Sequence, residues 1–76
     1  MDAEQQDAWN DLHAARRAGW YVGIPLYDLE RRRWQLFAFD RNEKVKADRR
    51  GRERTTLGQS EEECVRAMAR FLRQIS

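Results

Sequence analysis

Apolar positions along this 76-residue chain follow two kinds of spacing, and each predicts a different element. Ala8, Trp9, Leu12 and Ala15 recur every three to four residues, which marks one face of a helix. Asp2 stands as its N-cap, with Gln5 at the reciprocal capping-box position. Asp2, Glu4 and Asp7 sit near the positive end of the helix dipole. Arg16 and Arg17 fit the last turn, and Gly19 fits a left-handed exit, so the spacing predicts a helix over 3–18. A second helical stripe runs through Cys64, Val65, Met68, Phe71, Leu72 and Ile75. Ser60 and Glu63 form its capping box, and Glu61, Glu62 and Glu63 load its first turn. Arg66, Arg70 and Arg73 fall on the opposite side of the wheel, with Glu62 and Arg66 as an i, i+4 pair.

Between the helices the period drops to two. Trp20, Val22, Ile24 and Leu26 alternate with Tyr21, Gly23, Pro25 and Tyr27, predicting a half-buried strand with one apolar face. Pro25 cannot donate to a ladder, so this strand belongs at a sheet edge or is bulged there. Residues 33–40 predict a second strand. Trp34, Leu36 and Ala38 lie on one side of it and Gln35, Phe37 and Phe39 on the other, and both sides carry large apolar groups. The pattern leaves open which side is the core. Residues 53–57 predict a short third strand that exits at Gly58. Residues 41–52 contain one apolar residue of any size, Val45, and are expected to form a long, mobile basic loop. The fold class is therefore α+β: helix, three-stranded antiparallel sheet, helix, in one small domain spanning 1–76, with at least the last helix packed on the sheet.

Length sharpens this. A chain of this size buries only roughly 60% of the surface it exposes when unfolded, so its core is thin unless a partner or a second copy adds to it. The formal charge of +2 is unevenly spread. Residues 1–15 carry four acids and no Lys or Arg, residues 16–58 carry twelve cations against six acids, and residues 59–76 carry three of each. The positive field sits mid-chain, and thirteen of the fifteen cations are Arg, the residue suited to bidentate contacts with phosphate or carboxylate. One cysteine excludes an intrachain disulfide. The acidic N-terminus is unlike a secretory leader, and no apolar run approaches the ~20 residues of a membrane span, so a soluble, cytoplasmic protein without a membrane partner is expected.

Enzymatic readings lack parts. His13 is the sole histidine and lies beside the apolar stripe, where a structural or solvated role is expected. Cys64 falls on the buried stripe, away from any paired base. The carboxylates at 61–63 already have a capping role, and Gly19, Gly23, Gly51 and Gly58 are too scattered to form a phosphate loop. No metal site, cofactor or small-molecule substrate is expected, and the chain reads as a non-catalytic binding module.

Two ligand classes fit. For nucleic acid, Arg31, Arg32 and Arg33 from one connection and Lys44, Lys46, Arg49, Arg50, Arg52 and Arg54 from another supply cations that could converge. A sheet laid in a major groove would present Arg33, Gln35, Arg54 and Thr56 to base edges, while Lys44, Lys46, Arg49, Arg50 and Arg52 meet phosphate. The alternative is a protein partner or a homodimer, anchored by Tyr21, Tyr27, Phe37 or Phe39. The sequence leans towards the first.

The stretch RRGRERTTLGQSEEEC, residues 49–64, resembles the end of the arm-type DNA-binding domain of tyrosine recombinases, and WYVGIPLYD, residues 20–28, is similar to the first strand of such domains. That resemblance implies a three-stranded sheet laid in a DNA groove, with Arg52 and Arg54 in contact. The N-terminal helix and the Trp/Phe-rich middle strand depart from that pattern. Thr56, Gly58, Ser60, Glu62, Glu63 and Cys64 also resemble the strand-to-helix junction of HicB-type antitoxins, which implies binding to a small toxin protein.

Overall fold

A computed structural model describes residues 2–41 and 53–75. The first helix, α1, spans Ala3–Arg17, one residue shorter than its spacing predicts. Its cap is built as read: the Gln5 N–H donates to Asp2 Oδ1 at 2.8 Å. Gly19 follows the helix at φ 106°, a left-handed conformation that suits a residue with no Cβ. The Gln5 side chain does not reach back to the cap. It is buried, and its Oε1 accepts from Arg66 of the second helix at 3.1 Å.

Four short strands follow: β1 (Trp20–Val22), β2 (Leu26–Asp28), β3 (Arg33–Asp40) and β4 (Glu53–Gly58). β3 is central. β1 and β2 pair with it in succession along one edge and β4 pairs along the other, all antiparallel. The sheet is thus three strands wide, with its first strand broken in two. Val22 lies opposite Ala38, whereas Leu26 lies opposite Gln35. Residues 23–25 therefore face only residues 36 and 37, which is a bulge of one extra residue. It falls at Gly23-Ile24-Pro25, on an edge, as the missing N–H of Pro25 requires. Arg16 stabilises it. Its Nε and Nη2 donate to the Val22 carbonyl at 3.2 and 3.0 Å, and Nη2 also reaches the Gly23 carbonyl at 3.1 Å.

The second helix, α2, spans Glu61–Ile75. Its capping box differs slightly from expectation. The Glu63 N–H donates to Ser60 Oγ at 3.2 Å, but the Glu63 carboxylate takes the N–H of Gln59 rather than that of Ser60. α2 packs on β3 and β4, and α1 packs on α2 and β1, so both helices cover the same side of the sheet. Leu12, Leu36, Val65, Met68 and Cys64 are fully buried between these layers, joined by Ala8, Val22, Ala38, Ala69 and Leu72. Trp34, Leu36 and Ala38 are thereby fixed as the core side of β3. Two of the three arginines on the side of α2 opposite its apolar stripe bridge the helices. Arg66 bonds Gln5 and lies 3.9 Å from Glu4, while Arg73 Nε donates to Asp11 Oδ2 at 2.7 Å. Arg70 is exposed.

Candidate functional site

The bulge decides what the sheet shows on its open side. In an unbroken strand, Trp20, Val22, Ile24 and Leu26 would all point inward. One extra residue reverses the alternation beyond Val22. Trp20 and Val22 remain on the core side and Pro25 is buried, whereas Ile24 and Leu26 are 67% and 56% exposed. The predicted single apolar face of this strand is corrected accordingly: its apolar residues are divided between the two sides.

The outer face is laid out in rows by the register. Tyr21, Phe39 and Glu53 form one row, and Leu26, Gln35 and Leu57 another. Phe37 and Thr55 pair between them, beside Ile24 of the bulge. Phe37 is 41% and Leu57 45% exposed, and no helix lies over either. Tyr21, Gly23, Ile24, Leu26, Gln35, Phe37 and Thr55 line a shallow groove of about 230 Å³ across this face. The aromatic rings lie in contact: Tyr21 and Phe39 stack with centroids 5.1 Å apart, and Phe37 and Phe39 are tilted at 5.8 Å. Arg41 lies over the Tyr21 ring at 5.5 Å, so Tyr21 has both a ring and a cation as neighbours.

Of the four aromatics read as protein anchors, Tyr21, Phe37 and Phe39 share this face. Tyr27 does not. It pairs with Trp34 and packs edge-on against it at 5.6 Å, past the bulge and on the helix side. The base-reading set divides in the same way. Arg33 and Gln35 alternate with Trp34 and Leu36 and lie on the outer face. Arg54 sits over the Phe71 ring of α2 at 5.5 Å, on the helix side. Thr56 is buried, and its hydroxyl donates to the Cys64 carbonyl at 2.9 Å, which removes it from any ligand.

The described cations, Arg31, Arg32 and Arg33 against Arg54, separate too. Arg31 and Arg32 belong to the turn between β2 and β3 and Arg33 opens β3; in the turn, Asp28 Oδ1 accepts from the Glu30 and Arg31 N–H groups at 3.1 and 3.3 Å. Arg32 there has φ 53°, and Arg31 lies 3.9 Å from Asp28. Arg41 and Glu53, where residues 42–52 attach, are at the other end of β3, about 24 Å away at a strand's rise per residue. Lys44, Lys46, Arg49, Arg50 and Arg52, and with them the expected basic loop, lie outside the described residues.

His13 stacks on Trp9 at 6.2 Å, and its Nδ1 is 3.1 Å from Arg16 Nη1, so it supports the arginine that holds the bulge. Cys64 is buried in the core; burial pushes its thiol up from the ordinary 9.0, and the Glu63 carboxylate adds to that, which opposes thiolate formation. Among the described residues no group of three or more His, Cys, Asp or Glu is placed to hold a metal ion. No described helix is long and apolar enough to cross a membrane. Within residues 56–64, which carry both resemblances, Thr56, Gly58, Ser60 and Cys64 serve the junction between β4 and α2. Besides Thr56 and Ser60, a Cβ on Gly58 would come within 2.6 Å of Glu63 Cβ and 3.1 Å of the Cys64 nitrogen. No protein-family model, no curated protein and no solved structure matches the chain.

Proposed function

We propose that the chain is a non-catalytic protein-binding module that docks through the outer face of its sheet. The observation that carries this reading is that both helices cover one side, while Ile24, Leu26, Phe37 and Leu57 stand exposed on the other. Contiguous apolar surface of this kind is rare on a protein with no partner, and aromatic side chains at its centre suit an anchoring role. The resemblance of residues 56–64 to HicB-type antitoxins implies the same class of activity.

Stability measurements test it without a known partner. If the face exists for docking, Leu26→Ser and Leu57→Ser each change the unfolding free energy of the dilute chain by about 0.5 kcal/mol or less. Leu36→Ala on the core side costs about 2–5 kcal/mol. Costs at Leu26 and Leu57 as large as that at Leu36 mean the chain's own residues cover the face, and the reading falls.

A second reading, single-stranded nucleic acid on the same face, rests on Arg33 and Gln35 lying in line with Phe37. Aromatic platforms with nearby cations bind bases in this way. It is the weaker of the two because the Tyr21 ring is already engaged by Phe39 and Arg41.

A further inference from the structure

We infer that the partner on this face is a second copy of the chain, packed sheet to sheet about a two-fold axis that runs along β3. The inference rests on the docking reading above and names its occupant. A two-fold interface must be complementary to itself, so that residue i meets residue j and j meets i. With the axis along β3, each row of the outer face meets the same row of the other copy in reversed order. Leu26 then lies over Leu57 and Leu57 over Leu26. Gln35 meets Gln35, whose amide both donates and accepts. Phe37 and Phe39 meet their own equivalents on the axis. At the far end, Tyr21 and Arg41 lie on the β1 edge and Glu53 on the β4 edge. The reversed row therefore brings the Arg41 guanidinium and the Tyr21 hydroxyl towards Glu53 of the second copy, twice. Leu26 and Leu57 meet each other and Arg41 meets Glu53, while Arg33, on the axis at the end of β3 with Asp28 beside it, meets its own equivalent.

The other two-fold arrangement of two faces, with the axis across the strands, lacks this match. It would set Glu53 against Leu57 and Phe39 against Gln35, desolvating a carboxylate on an apolar group. Area agrees with a weak dimer. Three strand rows about 4.8 Å apart and eight residues at about 3.4 Å rise make a face of roughly 400 Å² in projection. Side-chain relief raises this, so two copies together bury on the order of 1,000 Å², near the lower bound for a specific interface. The twist of each sheet rotates the two strand sets by about 30°, which leaves the central rows in register.

Sedimentation equilibrium of the whole chain, from micromolar to millimolar, is the test. A reversible monomer–dimer equilibrium is expected. Phe37→Glu should weaken it at least about a hundredfold while circular dichroism stays unchanged, because it buries two like charges on the axis. Arg41→Glu and Glu53→Arg should each weaken it about five- to tenfold, and the double variant should recover most of the loss. Sheets packed face to face lie about 10 Å apart, so a bis-maleimide of about that reach should join Gln35→Cys to itself. It should join Leu26→Cys to Leu57→Cys in a mixture, and neither alone. The parent chain, with Cys64 buried, is the control. A chain that stays monomeric, a dimer indifferent to Phe37→Glu, or cross-links that pair position 26 with itself overturns the inference. The docking reading is scored separately by the Leu26→Ser and Leu57→Ser stabilities. A monomer with low costs there keeps the open face and loses the second copy, whereas high costs end both.

Discussion

Single residues at the junction between β4 and α2 show how little freedom the backbone has there. Gly58 needs no special dihedral; what it needs is the absence of a side chain. A methyl group at that position would sit 2.6 Å from Glu63 Cβ, a distance real carbon pairs do not adopt. Gly58→Ala should therefore push the first turn of α2 outward and cost about 1–3 kcal/mol in chemical denaturation. Gly23→Ala should cost less, since its tightest approach is 3.3 Å, to the Phe37 carbonyl. The glycine, the capping serine and the glutamate three residues later were all visible in the sequence as a strand-to-helix junction. Thr56 was not. A threonine in a strand reads equally as a surface or a core residue, and only its hydroxyl bond to the Cys64 carbonyl places it inside.

At the level of elements, periodicity located both helices because capping residues and apolar stripes agree on the same bounds. It does not show what the far side of α2 meets, since a helical wheel records one helix and not its neighbour. Arg66 and Arg73 find Gln5 and Asp11 because α1 lies alongside, Arg73 while still exposed. In the sheet, Pro25 announced the irregularity between β1 and β2, but the alternation was still read straight through it. The bulge itself depends on Arg16, whose guanidinium satisfies carbonyls that the broken ladder leaves over. Arg16→Ala should destabilise the fold by about 1–3 kcal/mol, because those acceptors are part-buried. Amide resonances of residues 22–25 should shift most. Unchanged stability would show that solvent serves those carbonyls equally well.

For the molecule as a whole, the sequence presents a basic centre, of which the described part is spread along β3. Antiparallel pairing sends the Arg31–Arg33 turn to one end of β3 and the attachment of residues 42–52 to the other, about 24 Å apart. Linear charge counting cannot register that separation. Titration of a labelled single-stranded oligonucleotide should accordingly give weak binding that falls steeply with salt and is indifferent to Phe37→Ala. Binding that persists at physiological salt and disappears with Phe37→Ala would return nucleic acid to the sheet face. The layered architecture was legible because local patterns and short connections dictate it. Which side of β3 is buried was not, because that strand is apolar on both sides and only packing chooses between them.

The extra residue between Val22 and Leu26 has an evolutionary corollary. Shortening that segment by one position would leave composition, charge and both helices intact, yet rotate Leu26 in towards the helices and Tyr27 out. A single codon deletion would thus change which side chains the outer face presents without substituting any residue.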